Sequence, residues 1–263
     1  MIELKNITYS VKGTSQEERE ILKDLSAIFE EGKTYVITGP NGSGKSTLAR
    51  LIMGINPLQR GEIFFDGQNI GNLSITQRAK AGICYAFQKP VTFKGVKIKS
   101  LLNIASGKEN NVGELCEYLS AVGLCAKEYI NRPFDDKLSG GEQKRIELAL
   151  TLARNAKVNI FDEPEAGIDI WSFEKLTSIF KKLKKATNII ISHQSRIFEI
   201  ADEIILLENG QIAKRGSYKQ MKKHLQNARS WKEQSLAKIL RRLVRKHSIS
   251  QRSFAGLRSR AKN

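Results

Sequence analysis

Gly39-Pro40-Asn41-Gly42-Ser43-Gly44-Lys45-Ser46 is the stretch on which the reading of this 263-residue chain turns. It fits the phosphate-binding pattern G-x-x-x-x-G-K-[ST], and each fixed position has a physical reason. The glycines let backbone approach phosphate oxygens without a Cβ in the way. Successive backbone N–H groups then form an anion nest at the positive end of the next helix. Lys45 brings a point charge to the outer phosphates, and the Ser46 hydroxyl is a ligand for Mg²⁺, with Thr47 following on the helix. Thr34 to Thr38 before the loop read as a buried strand, and Thr47 to Gly54 after it read as a helix. The stretch is a nucleotide site. Its use must come from the rest of the chain.

Composition narrows the classes. The length suits one large α/β domain or two small ones. No apolar run reaches the ~18 residues a membrane span needs, and no secretory leader opens the chain. Cys84, Cys116 and Cys125 show no C-x-x-C spacing, which reads as reduced thiols in a cytoplasmic protein. The net charge of +17 is unevenly spread. Residues 214–263 carry 16 Lys and Arg against Glu233 alone, whereas residues 1–213 carry 28 basic and 26 acidic side chains. An ordinary near-neutral body thus precedes a strongly basic tail.

Along the chain, Ile2, Leu4, Ile7, Tyr9 and Val11 suggest an edge strand. Thr14 to Glu20 reads as a loop and Ile21 to Phe29 as a second strand. Gly61 to Gly67 and Gly82 to Gln88 each read as a strand. Leu115, Leu119 and Val122 repeat at helical spacing within a mostly helical stretch from Ser100 to Arg132. Glu142 to Asn155 is predicted helical from its stripe of Ile146, Leu148, Ala149, Leu152 and Ala153. Val158 to Phe161 is predicted as a buried strand, Trp171 to Lys185 as a helix and Asn188 to Ser192 as the next strand. Asn209-Gly210 is a hairpin turn between Glu203–Leu207 and Gln211–Lys214. Strand–helix alternation around a phosphate loop argues a largely parallel sheet covered by helices.

Such a site needs an acidic element at the end of a buried strand, and Phe161-Asp162-Glu163 supplies it. Asp162 can hold Mg²⁺ through its water shell. Glu163 can face the γ-phosphate and polarise an attacking water. Gln88 and His193 also end predicted strands, where open parallel sheets place their ligand contacts. Leu138-Ser139-Gly140-Gly141-Glu142 repeats the logic of the phosphate loop: a hydroxyl, flexible glycines and a helix N-terminus aimed at an anion.

With these motifs in order over residues 39–193, the chain resembles the ABC-type ATPases. The resemblance implies an α/β P-loop NTPase fold of ABC type. In it a mixed sheet core carries an antiparallel β subdomain and a helical subdomain bearing the signature. It implies ATP and Mg²⁺ as the ligands. Gln88 matches the Q-loop and, with Ser46 and Asp162, the metal site; Glu163 matches the catalytic acid, His193 the switch histidine and Asp169 the D-loop aspartate. Ser139, Gly140, Gly141 and Glu142 would contact ATP held by a second copy, in a head-to-tail dimer. The position where relatives stack an aromatic on adenine is Val11, with Tyr9 two residues earlier. Glu165 replaces the usual Thr, Ser or Asp, and the sequence offers no account of it.

Within that superfamily Ala86 to Val91, Gly95-Val96, the Gly140 to Arg145 run and Gly167 to Ile170 resemble the SufC family of iron–sulfur cluster assembly ATPases. The likeness covers roughly residues 1–225, with a helical insert at about 98–140, and implies SufB/SufD-like scaffold proteins as partners. The alternatives are the ATPase subunit of a membrane transporter and a nucleic-acid-associated ABC protein. The tail, 226–263, falls outside the likeness. Its Trp231 to His247 segment reads as a basic amphipathic helix suited to a membrane surface, an acidic partner or nucleic-acid phosphates.

Overall fold

The strand that feeds the phosphate loop lies in the middle of the protein's main sheet. The structure is a computed structural model that describes residues 1–12, 18–166 and 170–225. The side chains of residues 170–173 and 175 are outside that description, as are Asp169 and the segment from Trp231 to His247. The chain begins with β1 (Ile2–Lys12), β2 (Glu18–Phe29), β3 (Thr34–Thr38), α1 (Lys45–Met53), β4 (Arg60–Phe65) and β5 (Gln68–Asn69). It continues through α2 (Ile75–Ala81), β6 (Ile83–Ala86), β7 (Phe93–Lys97), α3 (Ile98–Ser106), α4 (Val112–Ala121), α5 (Ala126–Tyr129) and β8 (Pro133–Phe134). The last part holds α6 (Gly140–Arg154), β9 (Val158–Asp162), α7 (Ile170–Lys182), β10 (Thr187–Ile191), α8 (Ser195–Phe198), β11 (Glu203–Glu208) and β12 (Gln211–Gly216). The chain divides into two compact units, Met1–Met221 and Lys222–Asn263, and everything below concerns the first.

The main sheet has the order β12-β11-β3-β10-β9-β6. All its pairings are parallel except β11 with β12. Every residue of β3, β9 and β10 is buried, as expected of parallel strands covered on both faces. The two asparagines inside this apolar layer are matched in register, and the Asn159 amide donates to the Asn188 side chain at 3.2 Å. Asn188 in turn donates to the carbonyls of Leu183 and Ala186, so its polar head is satisfied in the core. The predicted hairpin is present, with Asn209 and Gly210 both at positive φ, the geometry of the preferred tight turn.

A second, antiparallel sheet has the order β2-β1-β4-β5. Here one expectation is corrected: β1 is not an edge strand but pairs with β2 on one side and β4 on the other. Alternating hydrophobicity reports that one face is buried and says nothing about how many neighbours the strand has. Ile2, Leu4, Ile7, Leu22, Leu25, Ile63 and Phe65 carry that face into one core with Leu48, Leu51 and Ile52 of α1.

The insert between β6 and α6 is helical, as its periodicity suggested. A short β7–β8 ribbon, pairing Phe93 with Phe134 and Lys97 with Pro133, closes its base. Helices α3 and α4 pack on α6, burying Leu102, Leu119 and Ile146. The mixed sheet, the antiparallel sheet and the helical insert follow the architecture that the resemblance implied.

Candidate functional site

The phosphate loop spans from β3 to α1. Its first glycine, Gly39, has φ +145°, and a Cβ there would sit 2.0 Å from the Leu207 carbonyl oxygen on β11. Gly44, at φ +103°, precedes α1 and offers no side chain to cap it, so the first-turn N–H groups face whatever occupies the loop. At the far end of α1 the guanidinium of the fully buried Arg78 donates to the carbonyls of Leu51 (2.6 Å) and Ile52 (2.8 Å). A cation at the helix C-terminus complements the anion site at the other end.

The Lys45 ammonium donates to the carbonyls of Gly39 and Pro40, both at 2.9 Å. Burial pushes the Lys45 pKa down, while the charges of Glu163 and Asp162 act in the opposite direction. Thr38 Oγ1 and Ser43 Oγ, buried beside the loop, find no hydrogen-bond partner among the described residues. Around the loop opens a cleft of about 460 Å³. It is lined by Asn41, Gly42, Gly44, Lys45, Ser46, Thr47, Gln88 and Glu163, which brings the phosphate loop together with Gln88 and Glu163 as the resemblance implied.

Parallel strands deliver the acids. The Ser46 hydroxyl donates to Asp162 Oδ1 at 2.9 Å, and the Tyr85 hydroxyl, from neighbouring β6, donates to Asp162 Oδ2 at 2.9 Å. Burial and the Asp162 charge push the Tyr85 pKa well above its ordinary value, so it stays a donor. Glu163 takes φ +49°, a left-handed conformation that costs a non-glycine residue roughly 1–2 kcal/mol. The Gln88 amide donates to Glu163 Oε2 at 2.9 Å. Ser46, Asp162 and Gln88 form a small set of hard oxygen donors. Among the described residues no group of three or more His, Cys, Asp or Glu side chains is placed to hold a metal alone. An ion held here would complete its shell with phosphate oxygens and water, which is how Mg²⁺ is bound.

Glu165, without explanation in the sequence, acquires one here. Its carboxylate accepts the Ser192 hydroxyl at 2.6 Å. It ties the acidic segment to the end of β10, where His193 sits half-buried. Burial pushes its pKa up, against that hydrogen bond.

Other expected residues lie elsewhere. Val11 faces Arg19 across the β1–β2 pair and is 40% exposed, and neither it nor Tyr9 lines the cleft. Arg19 and Ile21 line it instead. No local signal marks them, because the β1–β2 register that brings them there is set by tertiary pairing. Ser139, Gly140, Gly141 and Glu142 do not reach the cleft of their own chain. They form the N-terminus of α6, closed by a capping box: Ser139 Oγ accepts the Glu142 N–H at 3.3 Å, and Glu142 Oε2 accepts the Ser139 N–H at 2.7 Å. Glu142 also accepts the Tyr129 hydroxyl, and these bonds hold its pKa down at about 2.

The family model described as ABC transporter matches residues 22–166. An uncharacterized ABC transporter ATP-binding protein of Methanocaldococcus jannaschii is 39% identical, over 77% of this chain and 85% of its own length. The iron–sulfur cluster assembly protein SufC of Plasmodium berghei is 33% identical, over 76% of this chain and 60% of its own. A solved ATP-binding cassette, a dimer in a post-hydrolysis state bound to ADP and Pi, superposes with a TM-score of 0.74. That cassette is 25% identical, and the match covers 82% of this chain and 98% of that one.

Proposed function

The chain belongs to the ABC transporter family of ATP-binding cassettes and is an ABC ATPase, and we propose that it is the motor subunit of a larger machine, working as a head-to-tail pair. The observation that carries this is the meeting of Lys45, Ser46, Gln88 and Glu163 in one cleft from which the chain's own signature, Ser139 to Glu142, is absent. A second copy is needed to supply it. The dimeric cassette to which the fold is similar supports that arrangement.

In this mechanism ATP enters the cleft, and Lys45 exchanges the Gly39 and Pro40 carbonyls for phosphate oxygens. Ser46, Asp162 and Gln88 would hold Mg²⁺, which supplies charge neutralisation on the phosphates. Glu163, released from Gln88, accepts a proton from water as the water oxygen bonds to the γ-phosphorus and ADP leaves with the bridging oxygen. His193 and the partner copy's signature stabilise charge on the γ-phosphoryl group. Replacing Glu163 with Gln is expected to slow hydrolysis by roughly 100-fold or more while ATP binding persists. Near-normal turnover in E163Q overturns the assignment of the base.

The partner driven by this motor is the second question. The name of the family and that of the Methanocaldococcus relative favour a transporter permease docked at the Q-loop face from the cytoplasmic side. A specific observation favours a SufB/SufD-like scaffold: the run Phe87-Gln88-Lys89-Pro90-Val91 and the similarity to a SufC protein. Among the described residues no helix is long and apolar enough to cross a membrane. Mass spectrometry of what co-purifies with the untagged protein separates the two. A polytopic permease supports the first reading, and a scaffold without membrane spans supports the second.

A further inference from the structure

Phe87 is the residue immediately before Gln88, and it lies just past the last β6–β9 pair, Ala86 with Phe161. Its N–H and C=O therefore have no strand to bond to, and both take partners from outside the sheet. Both partners come from one helix. Glu147 Oε1 on α6 accepts the Phe87 N–H at 2.8 Å, and the Lys144 ammonium donates to the Phe87 carbonyl oxygen. Lys144 and Glu147 also pair with each other at 2.8 Å, with side chains 1% and 12% exposed. Burial raises the Glu147 pKa while Lys144 opposes the rise.

A buried ion pair is a poor device for stability alone, because apolar residues of similar size usually serve as well or better. This one does something an apolar pair cannot: it grips both polar groups of a single backbone unit. Beyond that unit lies Gln88, whose amide holds Glu163. On the other side, α6 begins at the signature, and Lys144 and Glu147 follow Ser139 by five and eight residues. At ~1.5 Å per helical residue the clamp sits within roughly 12 Å of the signature serine, on the same rigid rod.

We propose that Lys144 and Glu147 are positioning residues that fix Gln88 against Glu163 through the Phe87 backbone, so that the placement of a chain's signature helix sets the readiness of its own catalytic carboxylate. The inference rests on the ATPase reading above. Engagement of α6 with the partner copy's ATP would shift Phe87, and with it the Gln88 contact that Glu163 must release before accepting a proton.

The test compares K144M/E147L, which exchanges the pair for apolar groups of similar size, with E147D, which keeps the charge but withdraws it from the Phe87 N–H by one methylene. For each, kcat and KM for ATP, equilibrium ATP binding and the thermal midpoint are measured on the full chain. Without the clamp, engagement of α6 no longer frees Glu163 from Gln88, so a positioning role predicts kcat reduced ~10- to 100-fold in both variants, with ATP binding within about threefold of wild type. A folded variant of either kind whose kcat stays within about twofold of wild type overturns the proposal. If K144M/E147L fails to fold, E147D decides by the same criterion. The ATPase reading fails separately, by absence of turnover in the wild-type protein or by full turnover in E163Q.

Discussion

At the residue scale, two glycines of the phosphate loop illustrate different constraints. A methyl group at Gly39 would meet the Leu207 carbonyl oxygen at 2.0 Å, and that oxygen belongs to the backbone and cannot swing aside. At Gly42, φ is +80° and nothing lies within 4 Å. Gly39→Ala is therefore expected to cost ~3 kcal/mol or more, and Gly42→Ala only the ~1 kcal/mol of left-handed strain. Urea unfolding of the two variants checks this, and equal losses would contradict it. The sequence pattern demanded glycine at Gly39 and left Gly42 among its free positions without showing how closely Gly39 is confined; that depends on β11, whose fit beside the loop is a tertiary fact. Glu165 teaches the same lesson. Its partner Ser192 lies just past the end of β10, so nothing near it in the sequence announces its role.

At the scale of the element, α6 does two jobs with one sequence. Ser139-Gly140-Gly141-Glu142 reads as an anion-binding turn and is also a capping box, and the structure shows the capping bonds in place. Glu142 has a folded pKa of about 2, below its ordinary carboxylate value. Its contribution to stability is thus fully present above pH ~4.3 and is lost as pH falls from there toward 2. Glu142→Ala is expected to lower stability by about 1 kcal/mol at pH 7 and to flatten part of the decline in melting temperature between pH 5 and 2. An unchanged acid limb would refute the assignment. Elements of strong period, such as α6 and the buried strands, were legible from the residues. The β7–β8 ribbon was not, since its two short strands are brought together only when the helices between them pack. Nor was the interior place of β1, because a strand's neighbours are chosen by other segments.

For the whole molecule, the central proposal is a site divided between two copies of the chain. The phosphate loop, Gln88 and Glu163 share a cleft, and Ser139 to Glu142 lie at the start of α6 outside it. The order of the motifs made this division readable in the sequence, whereas the clamp from α6 to Phe87 emerged only from the folded geometry. The most direct measurement is sedimentation equilibrium of E163Q with saturating Mg-ATP. The account predicts a species of twice the 29.5 kDa chain mass, which reverts to one chain without nucleotide or when Ser139→Arg is added. A protein that binds ATP to saturation and still sediments at 29.5 kDa, or a dimer indifferent to Ser139→Arg, would contradict it.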